Sequence, residues 1–155
     1  MTIDELLPAL GQELGLSGLV LDENGTCAIA FDDLALTFET LPDRSRAVVH
    51  AALGPALLAA DARALFAEAL SANYFGRKTG GAVLALDDMK GELVLWRDIV
   101  SEHYQVVGEF IRDLERFLEA ARSWGDRLRE VSRLPDDVKS TVPLAPQVPL
   151  PGTFA

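Results

Sequence analysis

The hydrophobic residues of the chain follow two spacings, which predict helices in some segments and strands in others. At the start, apolar residues recur at helical spacing behind Thr2 and Glu5, two residues that fit a capping box. A short first helix is therefore predicted up to Gly15, because glycine often ends helices. Pro8 lies inside this stripe, so we expect either a kink or a helix that begins nearer Leu7.

A spacing of two residues predicts three consecutive antiparallel strands after the first helix. Residues 26–31 and 34–40 carry apolar side chains at alternate positions and flank the acidic pair Asp32-Asp33, which predicts a hairpin. Pro42-Asp43 turns the chain again, and residues 46–53 predict the third strand.

Two helices and two further strands are predicted in the next part of the chain. A helix that Asp61 can cap runs to about Phe75, and strands are predicted over residues 82–86 and 92–99. The second of these strands is apolar on both faces, as expected of a strand that is covered on both sides. A long helix is then predicted from about residue 102 to residue 133.

The second helix predicts a dimer. Apolar residues lie nearly all round it, so it has to be buried on more than one side. A chain of this length offers one sheet to cover one side, and we expect a second subunit to cover the other. The residues expected at this dimer interface are Leu65, Phe66, Ala69 and Leu70.

The order of these elements predicts an α+β fold, α-β-β-β-α-β-β-α, in which helices flank a twisted antiparallel sheet and two copies form a homodimer. Residues 1–133 are expected to form this domain. Residues 134–155 hold five prolines and are predicted to be an extended, mobile tail.

Composition and charge narrow the class of protein. The chain has 155 residues, and 14 Lys and Arg against 24 Asp and Glu give a net charge of −10. Nucleic acids and anionic membranes attract clusters of basic residues, so neither is an expected partner. The first 60 residues hold nine acidic and two basic residues, a net charge of −7. That acidity either serves solubility or flanks a surface that receives a basic or apolar partner segment.

The start of the chain and its apolar runs predict a cytoplasmic protein. The acidic opening resembles neither a secretory nor a mitochondrial leader, and no apolar run approaches the roughly 18 residues of a membrane span. Cys27 is the single cysteine, which excludes an internal disulfide and a metal site built from several cysteines.

No motif predicts an enzyme, a metal site or a cofactor. His50 and His103 lack metal-ligand spacing, and Cys27 alternates with apolar residues as a core cysteine does. The loop from Gly76 to Gly81 has the composition of a phosphate-binding loop, but it follows a helix and precedes a strand, which reverses that motif. A flexible turn is expected there. Two acidic pairs lie in hairpin turns and are expected to be solvated.

Four parts of the chain carry short motifs: the first helix, the turn into the first strand, the end of the second helix and the hairpin of the last two strands. These motifs are Leu6-Leu7 with Leu10 and Leu14, Asp22-Glu23, Leu70-Ser71-Ala72-Asn73, and Leu84-Ala85-Leu86-Asp87 with Gly91 and Val94-Leu95. In their order along the chain they resemble the CesT/Tir-type class I chaperones of type III secretion, over about residues 3–130. Small size and acidity also suit that family.

The resemblance implies a homodimeric binding protein that works without ATP. Such chaperones hold the N-terminal segment of a secreted effector in extended form and keep it soluble and competent for export. The expected partners are therefore a secreted effector and a second copy of the chain, and the second helix with a neighbouring strand commonly forms the dimer interface in that family.

Short apolar strands in the acidic first third could accept an added strand through main-chain hydrogen bonds. We expect part of an effector groove to be lined by Leu6, Leu10, Leu36 and Phe38. The alternative is that all four belong to the core. Two other functions stay open: a peptide- or protein-binding regulator with this fold and no role in secretion, and a small enzyme that acts through His50 or an acidic pair.

Overall fold

The computed structural model describes residues 1–41 and 46–133 and contains the predicted elements in the predicted order. Two short 3₁₀ turns lie between these elements, at residues 74–76 after the second helix and at residues 101–103 before the last helix. The helices and strands are α1 (Ile3–Leu14), β1 (Thr26–Phe31), β2 (Leu34–Thr40), β3 (Ala47–Pro55), α2 (Ala62–Asn73), β4 (Val83–Asp87), β5 (Glu92–Ile99) and α3 (Val107–Ser132). The predicted turn at Pro42-Asp43 and the predicted tail lie outside the described residues.

All strand pairs are antiparallel, and the order across the sheet is β1-β2-β3-β5-β4. The α+β prediction is therefore confirmed. β1 and β4 are the two edge strands, a point that decides where another chain can be added.

One face of the sheet is buried. The register of the strand pairs shows which residues lie on that face. Cys27 pairs with Phe38, which pairs with Val49, so these alternate residues point to the same side of the sheet. That face joins α1 and α3 in a single hydrophobic cluster. The rings of Phe38 in β2 and Phe110 in α3 lie 6.3 Å apart, which places this part of α3 over β2.

The first helix begins where its capping residues predict, despite its internal proline. The backbone N–H of Thr2 donates to the Glu5 carboxylate at 2.7 Å, and α1 runs without interruption from Ile3 past Pro8. Gly15 ends it in the left-handed conformation at φ 68°. A start nearer Leu7 is therefore wrong.

The last helix begins at Val107, later than its periodicity predicts. The backbone N–H of Gln105 donates to the Glu109 carboxylate at 2.8 Å, so Glu109 satisfies a donor just before the first turn. Tyr104 lies ahead of the helix, directly after the 3₁₀ turn at residues 101–103, and packs its ring against Phe110 at 5.2 Å. Within the described ranges, none of the helices combines the length and apolar character needed to cross a bilayer.

Candidate functional site

The four residues expected to line an effector groove lie in the core. Their exposed fractions are 0% for Leu6, 2% for Leu10, and 0% for both Leu36 and Phe38. A side chain without exposed surface cannot contact a client, so the alternative, in which all four are core residues, is the one that the structure shows. Helical and strand periodicity identified the buried stripes correctly but could not distinguish a core from a groove.

The residues expected at a dimer interface divide into two groups. Leu65 and Ala69 are buried within the chain itself, at 0% and 6% exposure, and Phe66 is partly buried against the core. Leu70 is 73% exposed. Leu70 is thus the residue of this set that is most available to a second copy.

β1 has backbone groups that point away from the sheet. A two-residue turn joins it to β2, so Phe31 and Leu34 beside the turn form a hydrogen-bonded pair, and the odd-numbered residues of β1 bond to β2. The N–H of Thr40 donates to the Gly25 carbonyl at 2.9 Å, which agrees with this register. The N–H and C=O groups of the even-numbered residues therefore face outward.

The outward-facing backbone groups of Thr26, the first residue of β1, already bond to Asp22. The Asp22 carboxylate accepts from the N–H of Thr26 at 2.8 Å, and the Asp22 N–H donates to the Thr26 carbonyl at 2.8 Å. Within residues 1–41 and 46–133, Ala28 and Ala30 receive no hydrogen bond on this side. Two N–H and two C=O groups at these alanines can therefore bond to an added strand.

A groove of about 510 Å³ runs beside this edge, between β1 and the segment from Leu16 to Val20. Leu16 is 44% exposed and Val20 is 57% exposed, so the outer wall is apolar. Burial and the nearby charge of Asp22 raise the pKa of the Cys27 thiol, which keeps that side chain neutral beneath the groove. We call the edge and this wall the β1 groove.

Sequence reasoning missed the wall of the β1 groove. The segment between α1 and β1 holds apolar residues on both sides of Gly18, and Leu16, Leu19 and Val20 are the ones that line the groove. Apolar residues that belong to no helix or strand are the signal that could have identified it. Leu19 turns into the core at 9% exposure, while its two neighbours in this set stay on the surface.

A second apolar surface lies at the end of α2. Leu70 lies in the last turn of α2, and Tyr74, which directly follows the helix, is 70% exposed. Phe75 is 77% exposed, and its ring lies 4.4 Å from that of Tyr74. Phe75 has φ 57°, a left-handed backbone that is costly for a bulky residue. We call these three residues the α2 surface.

The β4 edge of the sheet is less open to an added strand than the β1 edge is. The side-chain amide of Asn73, at the end of α2, both accepts from and donates to the backbone of Leu84 in β4. An edge that a side chain already occupies is a poorer template for another strand, which leaves β1 as the open edge.

A partly buried ionic cluster ties α3 to β5. Arg97 donates to the Asp113 carboxylate at 2.8 Å and to the Tyr104 hydroxyl at 3.1 Å, and that hydroxyl donates to Asp113 at 3.0 Å. Burial opposes ionisation of Asp113, but hydrogen bonds from Arg97 and Tyr104 outweigh it and hold its pKa below its ordinary value. Every polar member of this cluster is paired, so it fits a structural role.

The sequence matches the profile of the Tir chaperone protein (CesT) family over residues 5–125. A protein of Chlamydia pneumoniae is 26% identical over 123 residues, which cover 79% of this chain and 92% of that protein.

Solved structures with the same fold include chains of three protein complexes. A chain of the ExsC–ExsE complex superposes with a TM-score of 0.68 at 23% identity, covering 83% of this chain and 97% of that one. A chain of the HopA1–SchA chaperone–effector complex gives 0.62 at 28% identity, covering 79% and 91%. A chain of the ExoU–SpcU complex of the Pseudomonas aeruginosa type III secretion system gives 0.60 at 21% identity, covering 84% and 98%.

Proposed function

The chain belongs to the Tir chaperone protein (CesT) family, which makes it a type III secretion chaperone and not an enzyme, and from this premise we propose that it holds the N-terminal segment of a secreted effector as an added strand in the β1 groove. The client stays soluble and competent for export while it is bound. No ATP is required, because the energy comes from main-chain hydrogen bonds and apolar contacts.

The free edge of β1 is the observation that supports this proposal most directly. The outward N–H and C=O groups of Ala28 and Ala30 offer four hydrogen bonds in the register of an antiparallel strand. Each such bond contributes about 1 kcal/mol net. Small side chains at both positions leave room for the backbone of the client to approach.

The wall of the β1 groove supplies apolar contacts in addition. Alternate side chains of an added strand point to the same side, so one set of them can pack on Leu16 and Val20. Apolar area buried on this wall contributes about 25 cal/mol per Å² before the ordering cost of binding is subtracted, and this contribution adds to that of the main-chain bonds. The net charge of −7 over residues 1–60 favours a client segment that is apolar or basic.

We further propose that the functional unit is a homodimer built on the α2 surface. Leu70, Tyr74 and Phe75 are each 70% exposed or more, and large apolar side chains grouped in this way mark interaction sites. Two copies would bury Leu70 against its counterpart across a two-fold axis. The dimer would leave one β1 groove on each copy, since β1 and β4 are opposite edges of the sheet.

The proposed location is the cytoplasm, where a client is held before export. This location follows from the role of the chaperone rather than from the fold.

The test begins with a client identified by co-purification from the native host and mass spectrometry. Its N-terminal segment is then titrated calorimetrically into wild-type protein and into Ala28→Pro. Proline removes the outward N–H and places a ring in the path of the added strand, yet an edge strand tolerates it because no internal bond is lost. We expect binding to weaken at least about tenfold.

Ala28→Thr is the matched control. Threonine keeps the N–H and suits a strand, so binding should stay within about threefold of wild type. Equal binding by Ala28→Pro and wild type would overturn the proposed site. If no exported protein co-purifies with a folded chaperone, the proposed function itself is overturned.

A further inference from the structure

We propose that a basic groove beside β4 docks an acidic peptide segment of a second partner protein, separately from the client strand on β1. The groove has a volume of about 360 Å³ and lies between the loop that leads into β4 and the middle of α3. Its basic residues are Arg77, Lys78 and Arg116, with Glu119 as the one acidic residue in its lining. We call it the basic groove.

The basic groove is lined mainly by positive charges, whereas the whole protein carries a net negative charge. Arg77 and Lys78 are exposed, and neither forms an ion pair with any residue in the described part of the chain. Arg116 is 66% exposed at its side chain and shares Asp113 with Arg97. In a chain of net charge −10, three grouped cations with only Glu119 among them form a local site for negative charge.

Internal bonds hold the loop that presents these cations. Thr79 is fully buried, and its hydroxyl donates to the Ala82 carbonyl at 2.6 Å. The indole N–H of Trp124 donates to the Lys78 carbonyl at 2.9 Å, which fixes the loop to α3. A loop fixed in this way presents its charges without a large ordering cost on binding.

A close backbone contact shapes the floor of the basic groove. Gly80 has φ 61°, and a Cβ at this position would lie 3.1 Å from the Arg116 carbonyl oxygen. Glycine is therefore required for the loop to lie this close to α3. Ala120 and Ser123 complete a floor of small residues, over which an extended peptide can pass with its carboxylates directed at the cations.

The basic groove and the β1 groove lie at opposite edges of the sheet, because the loop leads directly into β4. Both can therefore be filled at once, and the chaperone could carry a client while it binds an acidic segment elsewhere. The inference does not depend on the proposed function, since it rests on charge and geometry at residues that take no part in the β1 groove.

The test measures fluorescence anisotropy of a labelled glutamate-rich peptide with the full chain. A peptide of the same length with glutamine in place of glutamate serves as the control probe. We expect the acidic peptide to bind, the neutral one to bind at least about tenfold more weakly, and added salt to weaken the binding.

Two charge-reversed variants locate the site. Arg77→Glu with Lys78→Glu should reduce binding at least about tenfold. Arg63→Glu with Lys90→Glu makes the same change in net charge at exposed positions outside the groove, so it should leave most of the binding in place. Circular dichroism checks that both variants fold. Equal loss in the two variants would show a net-charge effect and overturn the proposal, as would equal binding of the two peptides.

Discussion

The side chain of Asn73 binds the backbone of Leu84 through both of its polar atoms. The Leu84 N–H donates to Asn73 Oδ1 at 2.8 Å, and Asn73 Nδ2 donates to the Leu84 carbonyl at 3.0 Å. One side chain at the end of α2 thus takes the place of a neighbouring strand at the β4 edge. Asn73 is also the last residue of the short motif from Leu70 that resembles the family, so the structure gives that motif a physical role.

Replacing Asn73 with alanine should destabilise the fold. The backbone N–H and C=O of Leu84 would lose their partner at a half-buried site, which costs about 1–3 kcal/mol. Urea denaturation gives the free energy of unfolding, with the exposed Ser71→Ala as the control in the same turn of α2. A change below about 0.5 kcal/mol for Asn73→Ala would show that this contact does not hold α2 to the sheet.

Replacing Leu70 with aspartate should separate the dimer without unfolding the chain. Leu70 is 73% exposed in the single chain, so a carboxylate there is solvated in the monomer but becomes an unpaired buried charge in the dimer. Light scattering should report a monomer, with an unchanged circular dichroism spectrum. Ala64→Asp carries the same charge on another side of α2 and should remain dimeric. A dimeric Leu70→Asp would exclude the α2 surface as the interface.

The Arg97–Asp113–Tyr104 cluster should make stability depend on pH. The folded state holds the pKa of Asp113 below its ordinary value, so its stabilising contribution is complete above about pH 5 and is lost progressively as the pH falls through the ordinary pKa and then the lowered one. Asp113→Asn should cost about 1–3 kcal/mol near neutral pH, and this difference from wild type should shrink between about pH 5 and pH 3.

Asp126→Asn is the control for this titration. Asp126 pairs with Arg129 at the surface, where its side chain is 68% exposed, so its replacement should change little at any pH. A difference between Asp113→Asn and wild type that stays constant down to pH 3 would mean that ionisation of Asp113 does not stabilise the fold.

Truncation after Arg133 tests the predicted domain boundary. The hydrophobic core that the structure describes is formed by residues from Ile3 to Leu128. Removing the proline-rich residues should therefore change the melting temperature by less than about 2 °C. Truncation after Asp126 also removes Leu128, which is 3% exposed, and should lower it much further. A large decrease for the shorter truncation would show that residues 134–155 contribute to the fold.

The sequence predicted the elements well because the two periodicities are strong. Alternation around Asp32-Asp33 placed the first hairpin, and the run from 92 to 99 placed β5 without error. The start of α3 was placed too early, because the apolar pattern extends back to Tyr104, which lies between the 3₁₀ turn at residues 101–103 and the helix. Periodicity reports which side of an element is apolar and does not report where the helix begins.

The candidate site was harder to predict, because burial depends on neighbours that are distant in the sequence. Leu36 and Phe38 show the alternation of a half-buried strand, and only the position of α3 over β2 determines that this face is closed. In α2, the alanines made the helix appear apolar all round, but Ala64 and Ala67 are exposed. The open edge of β1 follows from the strand order, which the sequence pattern alone does not specify.

Amide hydrogen exchange in the presence and absence of the client segment tests the central claim most directly. The outward N–H groups of Ala28 and Ala30 should exchange rapidly in the free chaperone and become strongly protected when the client adds a strand to β1. Protection that appears elsewhere, while both alanine amides continue to exchange rapidly in the complex, would contradict the account.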